Sequence, residues 1–307
     1  MTKQDWAERR RAIERGSHWI NRAGRRARWR NVPFRLAVAA IGQALKATPL
    51  HRRGVRNALD ISCLVFEVAL PGLPVAFDGY RVLHVSDTHL DNLPELADVA
   101  RRLLEGVEVD LLALTGDVHG HPEADVERSA ALLMHALDPV EVRGPRLAIL
   151  GNHDPVEMAD LLAGHGFEVL LNRSVVLERG GERLRVTGLD DVHSFFTGEA
   201  LAALDDHDGE FRIALVHSAE AAEDAARAGY GLYLCGHTHG GQICLPSGRA
   251  LVTHLHRCRH AAQGLWREGA MTGYTSQGLG VSDLPLRFHS RGGVAVITLR
   301  RAGAPVA

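Results

Sequence analysis

The sequence is poor in cysteine and in long hydrophobic runs. Its 307 residues include 4 cysteines, Cys63, Cys235, Cys244 and Cys258, which lie far apart and form no Cys-x-x-Cys pair. This spacing excludes a disulfide scaffold and a zinc ribbon, so we expect buried thiols in a reducing compartment. The uncharged run Leu36–Leu45 has 10 residues, whereas a membrane-spanning helix needs roughly 20. We therefore expect no transmembrane helix.

Lysine is also rare, and the basic residues are unevenly distributed. Arginine accounts for 33 of the 35 basic residues. Residues 1–60 hold 15 Lys and Arg against 4 Asp and Glu, a net charge of +11, while the remainder holds 20 against 33, a net charge of −13. Codon bias explains a preference for Arg over Lys but not this clustering. A basic arm on an acidic body predicts a negatively charged partner, either a membrane surface or a nucleic acid.

Residues 5–30 show the pattern of a basic amphipathic helix. Apolar residues recur at seven-residue spacing from Trp6 to Ala27, and the segment holds nine arginines. Such a helix can lie in a membrane interface, with its arginines towards anionic headgroups. A helix packed on the body has the same pattern. Three of the four tryptophans lie in this arm, which favours the membrane interface.

The arm is not expected to contain a removable leader. Arg9, Arg10 and Arg11 resemble the start of an export signal, but they are followed neither by an apolar run nor by a small-residue cleavage site. We therefore expect a cytoplasmic protein. The chain is predicted to consist of a basic arm over residues 1–60 and one domain over residues 61–307.

The remainder of the chain alternates short apolar runs with helical segments, which predicts an α/β body. Buried strands are predicted at Arg81–Val85, Leu111–Leu114, Leu147–Leu150, Arg212–Val216 and Leu232–Cys235. Helices are predicted at Pro94–Gly106, Asp125–Leu137, Pro155–Ala163 and Ala219–Gly229. A second, more antiparallel group of strands is predicted at Arg183–Gly188, Gln242–Leu245, Met271–Ser276 and Gly293–Leu299.

Polar residues of metal-ligand type follow each of the five buried strands. They are Ser86-Asp87-Thr88-His89, Thr115-Gly116-Asp117, Gly151-Asn152-His153-Asp154, His217 and Gly236-His237-Thr238-His239. The carboxyl ends of strands in α/β proteins lie together, so these side chains are predicted to form one site. In extended backbone, residues two apart point the same way, which would let each Asp-x-His or His-x-His pair present two ligands. Carboxylate, imidazole and amide donors suit Mn, Fe or Zn.

This series of motifs resembles the signature of the calcineurin-like metallophosphoesterases over about residues 80–299. The resemblance implies a four-layer α/β/β/α sandwich of two mixed sheets, here preceded by the basic helical arm. Two further motifs resemble a bacterial phosphodiesterase branch that includes enzymes hydrolysing the pyrophosphate of UDP-2,3-diacylglucosamine. They are Gly240-Gly241-Gln242, and Gly278-Leu279-Gly280 followed by Leu284-Pro285-Leu286-Arg287-Phe288.

The resemblance also implies two divalent metal ions, bridged by Asp117 and by a water or hydroxide that attacks phosphorus. The implied ligands are Asp87, His89 and His239 for the first metal, and Asn152, His217 and His237 for the second. Manganese is expected, with iron, zinc and magnesium as alternatives.

His153 is the implied residue that does not bind metal. It would protonate the leaving oxygen or stabilise the charge of the transition state, with Asp154 orienting its imidazole and keeping it protonated. Asp154 precedes Pro155, so a helix N-cap is its alternative role.

Several other polar residues lie near these motifs in the sequence. Arg257 or Arg259 could bind the substrate phosphate bidentately, although a solvated loop is the favoured interpretation of their segment. His119 is interpreted as a support for the metal ligands. The segment Gly188–His193 is either part of the pocket or a polar strand end, and His84 is interpreted as a core histidine.

These features predict a metal-dependent phosphodiesterase or pyrophosphatase that works at the inner membrane surface on a lipid-linked substrate. Residues 1–50 would bind the anionic surface. A nucleotide or nucleic-acid phosphodiesterase is the alternative, disfavoured because the body is acidic, and a non-catalytic scaffold of the same fold is a third hypothesis. The complete set of ligand residues argues against the scaffold.

Overall fold

The computed structural model describes residues 3–15, 40, 42–121, 123–205 and 208–302. The helices are α1 (Lys3–Arg15), α2 (Pro49–Leu59), α3 (Glu95–Leu103), α4 (Val126–Leu137), α5 (Glu157–Gly164), α6 (Gly198–Leu204) and α7 (Ala222–Arg227). The first strands are β1 (Ser62–Leu70), β2 (Arg81–Val85), β3 (Glu108–Val109), β4 (Leu111–Thr115), β5 (Glu141–Val142), β6 (Arg146–Ile149) and β7 (Glu168–Val169). They are followed by β8 (Arg173–Arg179), β9 (Glu182–Gly188), β10 (Phe211–Leu215), β11 (Leu232–Cys235), β12 (Gly264–Glu268), β13 (Met271–Thr275) and β14 (Gly293–Arg301).

Most of these strands form two six-stranded mixed sheets. The first has the order β1-β14-β2-β4-β6-β7, in which β14 is antiparallel to β2 and the strands from β2 to β7 are parallel. The second has the order β12-β13-β11-β10-β9-β8, in which only the two edge strands are antiparallel to their neighbours. β3 and β5 form a separate two-stranded sheet.

Three hydrophobic clusters separate the layers. One cluster lies between the two sheets and joins residues such as Val82 and Ile149 of the first to Val186 and Leu234 of the second. Another packs the opposite face of the first sheet against α3, α4 and α5. The third packs the outer face of the second sheet against α6 and α7. The layers are therefore helix, sheet, sheet and helix, which confirms the predicted four-layer sandwich.

The central strands and the helices form where the spacing of apolar residues in the sequence predicts them. All five residues of β4 are buried, because a parallel strand covered on both faces needs an apolar side chain at every position. In α4 the buried residues Ala130, Leu133 and Leu137 recur at three- and four-residue spacing. Asp125 caps this helix by accepting a hydrogen bond from the Arg128 backbone N–H.

The second group of strands was predicted less well than the first. Gln242–Leu245 is not a strand, and only isolated bridges join Ile243 to Phe288 and Cys244 to Ala250. The second sheet is mainly parallel, and β14 belongs to the first sheet. The prediction of a more antiparallel group was therefore wrong, because short connections do not reveal which sheet a strand joins.

The first part of the basic arm packs on the body. Trp6 is 5% exposed and Arg10 is 1% exposed, so the described helix α1 adopts the packed arrangement that the sequence left open. Residues 16–39, which carry Trp19, Trp29 and most of the arginines of the predicted interfacial helix, lie outside the described residues. Within the described residues, every helix is too short or too polar to cross a membrane.

All four cysteines are free thiols, as expected. Cys235, Cys244 and Cys258 are buried, and Cys63 is partly buried. Cys235 lies 3.1 Å from the Thr275 hydroxyl, and burial raises the pKa of its thiol to about 12. It therefore fills space in the core as an uncharged group.

Candidate metal centre

The carboxyl ends of β2, β4, β6, β10 and β11 place the predicted ligand residues around one buried site. Ligand atoms within 4.8 Å of one another define two groups. The first consists of Asp87, His89 and His239, and the second consists of Asp117, His217 and His237. All six residues are buried. Both sheets therefore contribute to the site, with β2 and β4 from the first and β10 and β11 from the second.

The ligand-bearing segments leave their strands as tight turns. The backbone is left-handed, with φ of 50° at Asp87, 35° at His89, 55° at Asp117, 71° at His237 and 51° at His239. Such angles are uncommon for residues with a side chain and persist only where the surrounding structure enforces them. The prediction of extended backbone was wrong here, because β2 ends at Val85 and β11 at Cys235. The Asp-x-His and His-x-His pairs are instead directed into the site by these tight turns.

Two glycines allow the close approach of these turns. A Cβ atom on Gly151 would lie 2.1 Å from Asp117 Oδ1, and one on Gly236 would lie 2.0 Å from Asp87 Oδ2. Both contacts are far shorter than van der Waals separation. Glycine is therefore required at both positions for the carboxylates to reach the site.

Backbone carbonyls fix the orientation of two imidazoles. The Nδ1 atom of His89 lies 2.8 Å from the carbonyl oxygen of His119, and the Nδ1 atom of His217 lies 2.8 Å from that of Thr115. A carbonyl can only accept, so each Nδ1 must carry the proton. Each Nε2 then lies beside Asp117 in the site, as is typical of metal-binding histidines. His119 supports the site through its backbone, while its ring contacts the Ser129 hydroxyl at 3.0 Å.

Asp117 lies between the two groups. Its Oδ2 is 3.5 Å from Nε2 of His89 and 3.2 Å from Nε2 of His217. The Oδ1 atom of Asn152 lies 3.1 Å from the same His217 nitrogen and 2.8 Å from Nδ1 of His237. Asn152 therefore joins the second group, as the sequence predicts.

This arrangement of acceptors favours a bound cation. Burial alone would lower the pKa of His217, but the carboxylate of Asp117 raises it to about 10. Burial opposes ionisation of Asp117, yet His217 and His153 hold its pKa well below the usual value. Nε2 of His89 is buried without a hydrogen bond. Carboxylate, imidazole and amide atoms that converge in this way fit divalent metal ions with oxygen and nitrogen ligands.

The role predicted for Asp154 needs correction. Its carboxylate accepts four backbone N–H groups at 2.8–2.9 Å, from Gly151, Asp117, Val118 and His119. With its acceptor positions occupied, Asp154 cannot orient the His153 imidazole or keep it protonated. It does not cap a helix either, because the residue before α5 is Val156. Asp154 instead ties the loop after β6 to the loop after β4.

His153 lies next to the two groups. Its backbone N–H donates to Asp117 Oδ1 at 2.8 Å, and its ring lies edge-on to the His89 ring with centroids 5.1 Å apart. Burial lowers the pKa of its imidazole, against the opposing effect of Asp117. The side chain is partly exposed, so it is accessible to a molecule that binds over the metal site.

One of the two predicted phosphate-binding arginines is paired with a carboxylate, and the other is exposed. Arg257 forms an ion pair with Glu223, and Arg259 is exposed in a short 3₁₀ helix. Two histidines outside the predicted ligand set lie beside the second group. The ring centroids of His193 and His254 are 4.2 Å and 6.4 Å from that of His237. The segment Gly188–His193, which the sequence left open between part of the pocket and a polar strand end, thus places His193 next to the site.

Arg287, part of the second branch motif, supports the site from beneath. It is fully buried and donates from Nη1 to the carbonyl of His239 at 3.1 Å. From Nη2 it donates to the carbonyls of Gln277 at 2.7 Å and Gly280 at 2.8 Å. Burial lowers its pKa to about 10. Arg287 therefore holds the loop after β13 against the turn that carries His239.

The two ligand groups are candidate sites for two metal ions, built at the strand ends of both sheets. The family model described as calcineurin-like phosphoesterase matches residues 80–241. The chain is 31% identical over 239 residues to the uncharacterized metallophosphoesterase YkuE of Bacillus subtilis strain 168, covering 74% of this chain and 82% of that protein. It is 27% identical over 229 residues to the phosphodiesterase YaeI of Escherichia coli strain K12, covering 72% and 82%.

Another relative is a transmembrane protein with a metallophosphoesterase domain from Danio rerio. It is 28% identical over 259 residues, which cover 77% of this chain and 56% of that protein. The chain belongs to the calcineurin-like phosphoesterase family, whose members are metal-dependent hydrolases of phosphoric esters.

Proposed function

We propose that this protein is a dinuclear-metal phosphodiesterase or pyrophosphatase that acts on a lipid-linked substrate at the cytoplasmic face of a membrane. The position of Asp117 carries the catalytic part of the proposal. One carboxylate oxygen lies within 3.5 Å of imidazoles from both ligand groups, which is the arrangement needed to bridge two metal ions. Asp87, His89 and His239 would hold one ion, and Asn152, His217 and His237 the other.

The protein residues around the metals have distinct tasks in this proposal. When bound, the two cations neutralise phosphate oxygens and lower the pKa of the attacking water. His153 donates an imidazole N–H to the leaving oxygen, because it is the partly exposed histidine beside Asp117. The loop Gly151–Asp154 thus presents one ligand, Asn152, and one substrate-contacting group. The phosphodiesterase name of the E. coli relative supports a diester substrate.

The catalytic proposal is tested with bis-p-nitrophenyl phosphate and the matching monoester in the presence of Mn²⁺. We expect diester hydrolysis that a chelator abolishes and that Asp117→Ala reduces at least ~1000-fold. Asp98→Ala is the matched control, since this carboxylate is exposed and pairs with His135. Faster hydrolysis of the monoester, or activity that survives the chelator, would contradict the proposal. Activity that needs Fe²⁺ or Zn²⁺ instead of Mn²⁺ would change only the identity of the metal in the proposal.

Two features support a lipid-facing site. The segment 243–252 exposes three aliphatic side chains, Leu245 at 43%, Leu251 at 59% and Val252 at 41%. It leads directly to His254, whose ring lies beside that of the ligand His237. The basic arm supplies positive charge that would attract anionic headgroups. Aliphatic surface beside the site, together with basic charge, suits a substrate held in a membrane.

The membrane proposal is tested with the full chain, because deletion of residues 1–50 would also remove the packed helix α1. Changing Arg22, Arg25, Arg26, Arg28 and Arg30 to Gln should weaken binding to phosphatidylglycerol vesicles at least ~100-fold. Hydrolysis of the soluble diester should stay within ~2-fold of the unmodified protein. Vesicles of phosphatidylcholine are the control surface. Unchanged binding to anionic vesicles would overturn the proposal, as would binding to DNA but not to lipid.

A further inference from the structure

Helix α1 is anchored to the body by Trp6 and Arg10. The Trp6 indole N–H donates to Asp190 Oδ2 at 2.6 Å, and Arg10 forms an ion pair with the same carboxylate. The Arg10 guanidinium also lies 3.9 Å from the ring centroid of Phe195. Asp190 and Phe195 belong to the segment that follows β9, so the helix is held by a loop beside the metal site.

Arg10 also contacts the loop that carries Asn152 and His153. Its Nη2 donates to the carbonyl of Gly151 at 2.6 Å and to the carbonyl of Asp154 at 2.8 Å. These two carbonyls flank the metal ligand and the substrate-contacting histidine in the sequence. One nitrogen of Arg10 therefore holds both ends of the segment between them.

The N–H groups of this loop have their own partners. The backbone N–H of His153 donates to Asp117, and the backbone N–H of Gly151 donates to Asp154 at the other end of the loop. The loop backbone is thus fixed through both its N–H groups and its carbonyls. Arg10 supplies the donor to the carbonyls.

Removal of the Arg10 guanidinium would leave these carbonyls without that donor. Gly151 and Asp154 are buried, and a buried carbonyl that loses its donor costs free energy unless the backbone moves to find water. Movement of the loop by about 1 Å would displace Asn152 from the metal site and His153 from the substrate, which can lower the rate about 100-fold.

We propose that Arg10 is a positioning residue for the active site, and that it fixes the loop presenting Asn152 and His153. The helix at the start of the arm is then part of the catalytic architecture. The proposal rests on the function proposed above for this loop. It assigns the two ends of the arm different tasks, with α1 ordering the site and the later arginines meeting the membrane.

The test compares Arg10→Ala with Arg11→Ala in the full chain. Arg11 lies next to Arg10 on the same helix and forms an exposed ion pair with Glu157. We expect Arg10→Ala to lower kcat for bis-p-nitrophenyl phosphate about 10-fold to 100-fold, with a smaller change in KM. We expect Arg11→Ala to be active within about 2-fold. Added guanidinium ion should restore part of the kcat of Arg10→Ala by occupying the vacated site.

Hydrogen exchange gives a readout that needs no activity. In Arg10→Ala, exchange should rise in the amides of residues 151–154 and stay unchanged in the strands β4 and β10. If the diester is not a substrate of any variant, this local rise still supports the positioning role while the proposed function fails. Exchange that rises throughout the protein, or a kcat within 2-fold of the unmodified protein, would overturn the proposal.

A second variant keeps the test decisive if Arg10→Ala does not fold. Asp190→Asn preserves the size of the side chain that anchors Arg10 but removes its charge. We expect the same local rise of exchange at residues 151–154 and a smaller loss of kcat. A folded Asp190→Asn variant with unchanged exchange and unchanged kcat would contradict the proposal.

Discussion

The buried ligands and the exposed loop above them follow different physical rules. We call the first region the floor, which consists of Asp87, His89, Asp117, His217, His237 and His239, and the second the rim, which consists of residues 243–260. Side chains of the floor are buried, and backbone carbonyls fix the imidazoles of His89 and His217. In the rim, Arg257 pairs with a neighbouring carboxylate and Arg259 is exposed. A substitution in the floor should therefore displace several side chains, whereas a substitution in the rim should affect only the substituted side chain.

Among substitutions that leave every ligand side chain in place, the largest effect is expected for Gly151→Ala. The added Cβ would lie 2.1 Å from Asp117 Oδ1, so Asp117 or the loop must move and the two ligand groups separate. We expect the rate of diester hydrolysis to fall by about 100-fold or more, and the amount of bound Mn²⁺ to fall with it.

Gly164→Ala is the matched control for this change. Gly164 ends α5, and a Cβ there meets no heavy atom within 4 Å. Its activity should be unchanged, and its free energy of unfolding should rise by up to ~1 kcal/mol because alanine favours helix. Full activity of Gly151→Ala would show that Asp117 or the loop after β6 can move without loss of catalysis.

Asp154→Asn should mainly reduce stability. The amide keeps one acceptor oxygen, but its NH₂ group would face backbone N–H groups that now donate to the carboxylate. We expect the free energy of unfolding, measured with urea, to fall by about 3 kcal/mol or more.

Asp125→Asn is a matched control, since asparagine caps a helix as well as aspartate. If Asp154 instead acted by keeping His153 protonated, the variant would retain its stability and shift only the pH profile of kcat. That outcome would restore the role predicted from the sequence.

His84 beneath the floor should make the protein sensitive to acid. Burial lowers the pKa of this imidazole from 6.5 to about 3. Between these two values His84 is therefore protonated in the unfolded chain but neutral in the folded chain. Stability is therefore complete above about pH 6.5 and falls as the pH drops towards about 3, by up to ~1.4 kcal/mol per pH unit.

The measurement is the free energy of unfolding of metal-free protein between about pH 7 and about pH 4. In His84→Leu, the free energy of unfolding should depend less steeply on pH than in the unmodified protein. The variant also loses the 2.8 Å contact between His84 and Thr115, which lowers its stability at every pH without changing the slope. Parallel curves for the two proteins would show that His84 is protonated in the folded state.

The smallest effects are expected in the rim. Arg259→Ala should change KM for bis-p-nitrophenyl phosphate by less than about 3-fold, because Arg259 is exposed. Arg257→Ala should cost at most ~1 kcal/mol of stability through loss of its ion pair with Glu223. A 10-fold rise of KM in either variant would instead support the predicted contact with the substrate phosphate.

The sequence predicted the floor better than the rim for a physical reason. Ligand residues follow buried strands at once, and the apolar pattern locates strands such as Arg81–Val85 and Leu232–Cys235 without error. The rim is placed by contacts between distant loops. His193 and His254 reach His237 from two segments that are far apart in the sequence, so their contact with it depends on how the chain folds.

The sequence by itself determined the central strands, the order of the ligand motifs and, through the resemblance that those motifs carry, the family and its two-sheet fold. Periodicity and strand-end chemistry are local properties, and local properties can be read along the chain. Only the tertiary structure decided the left-handed turns of the ligands, the role of Asp154 and the contact of Arg10 with the loop after β6. Each of these depends on which backbone groups meet across the fold, and Arg10 meets its carbonyls from 141 and 144 residues away.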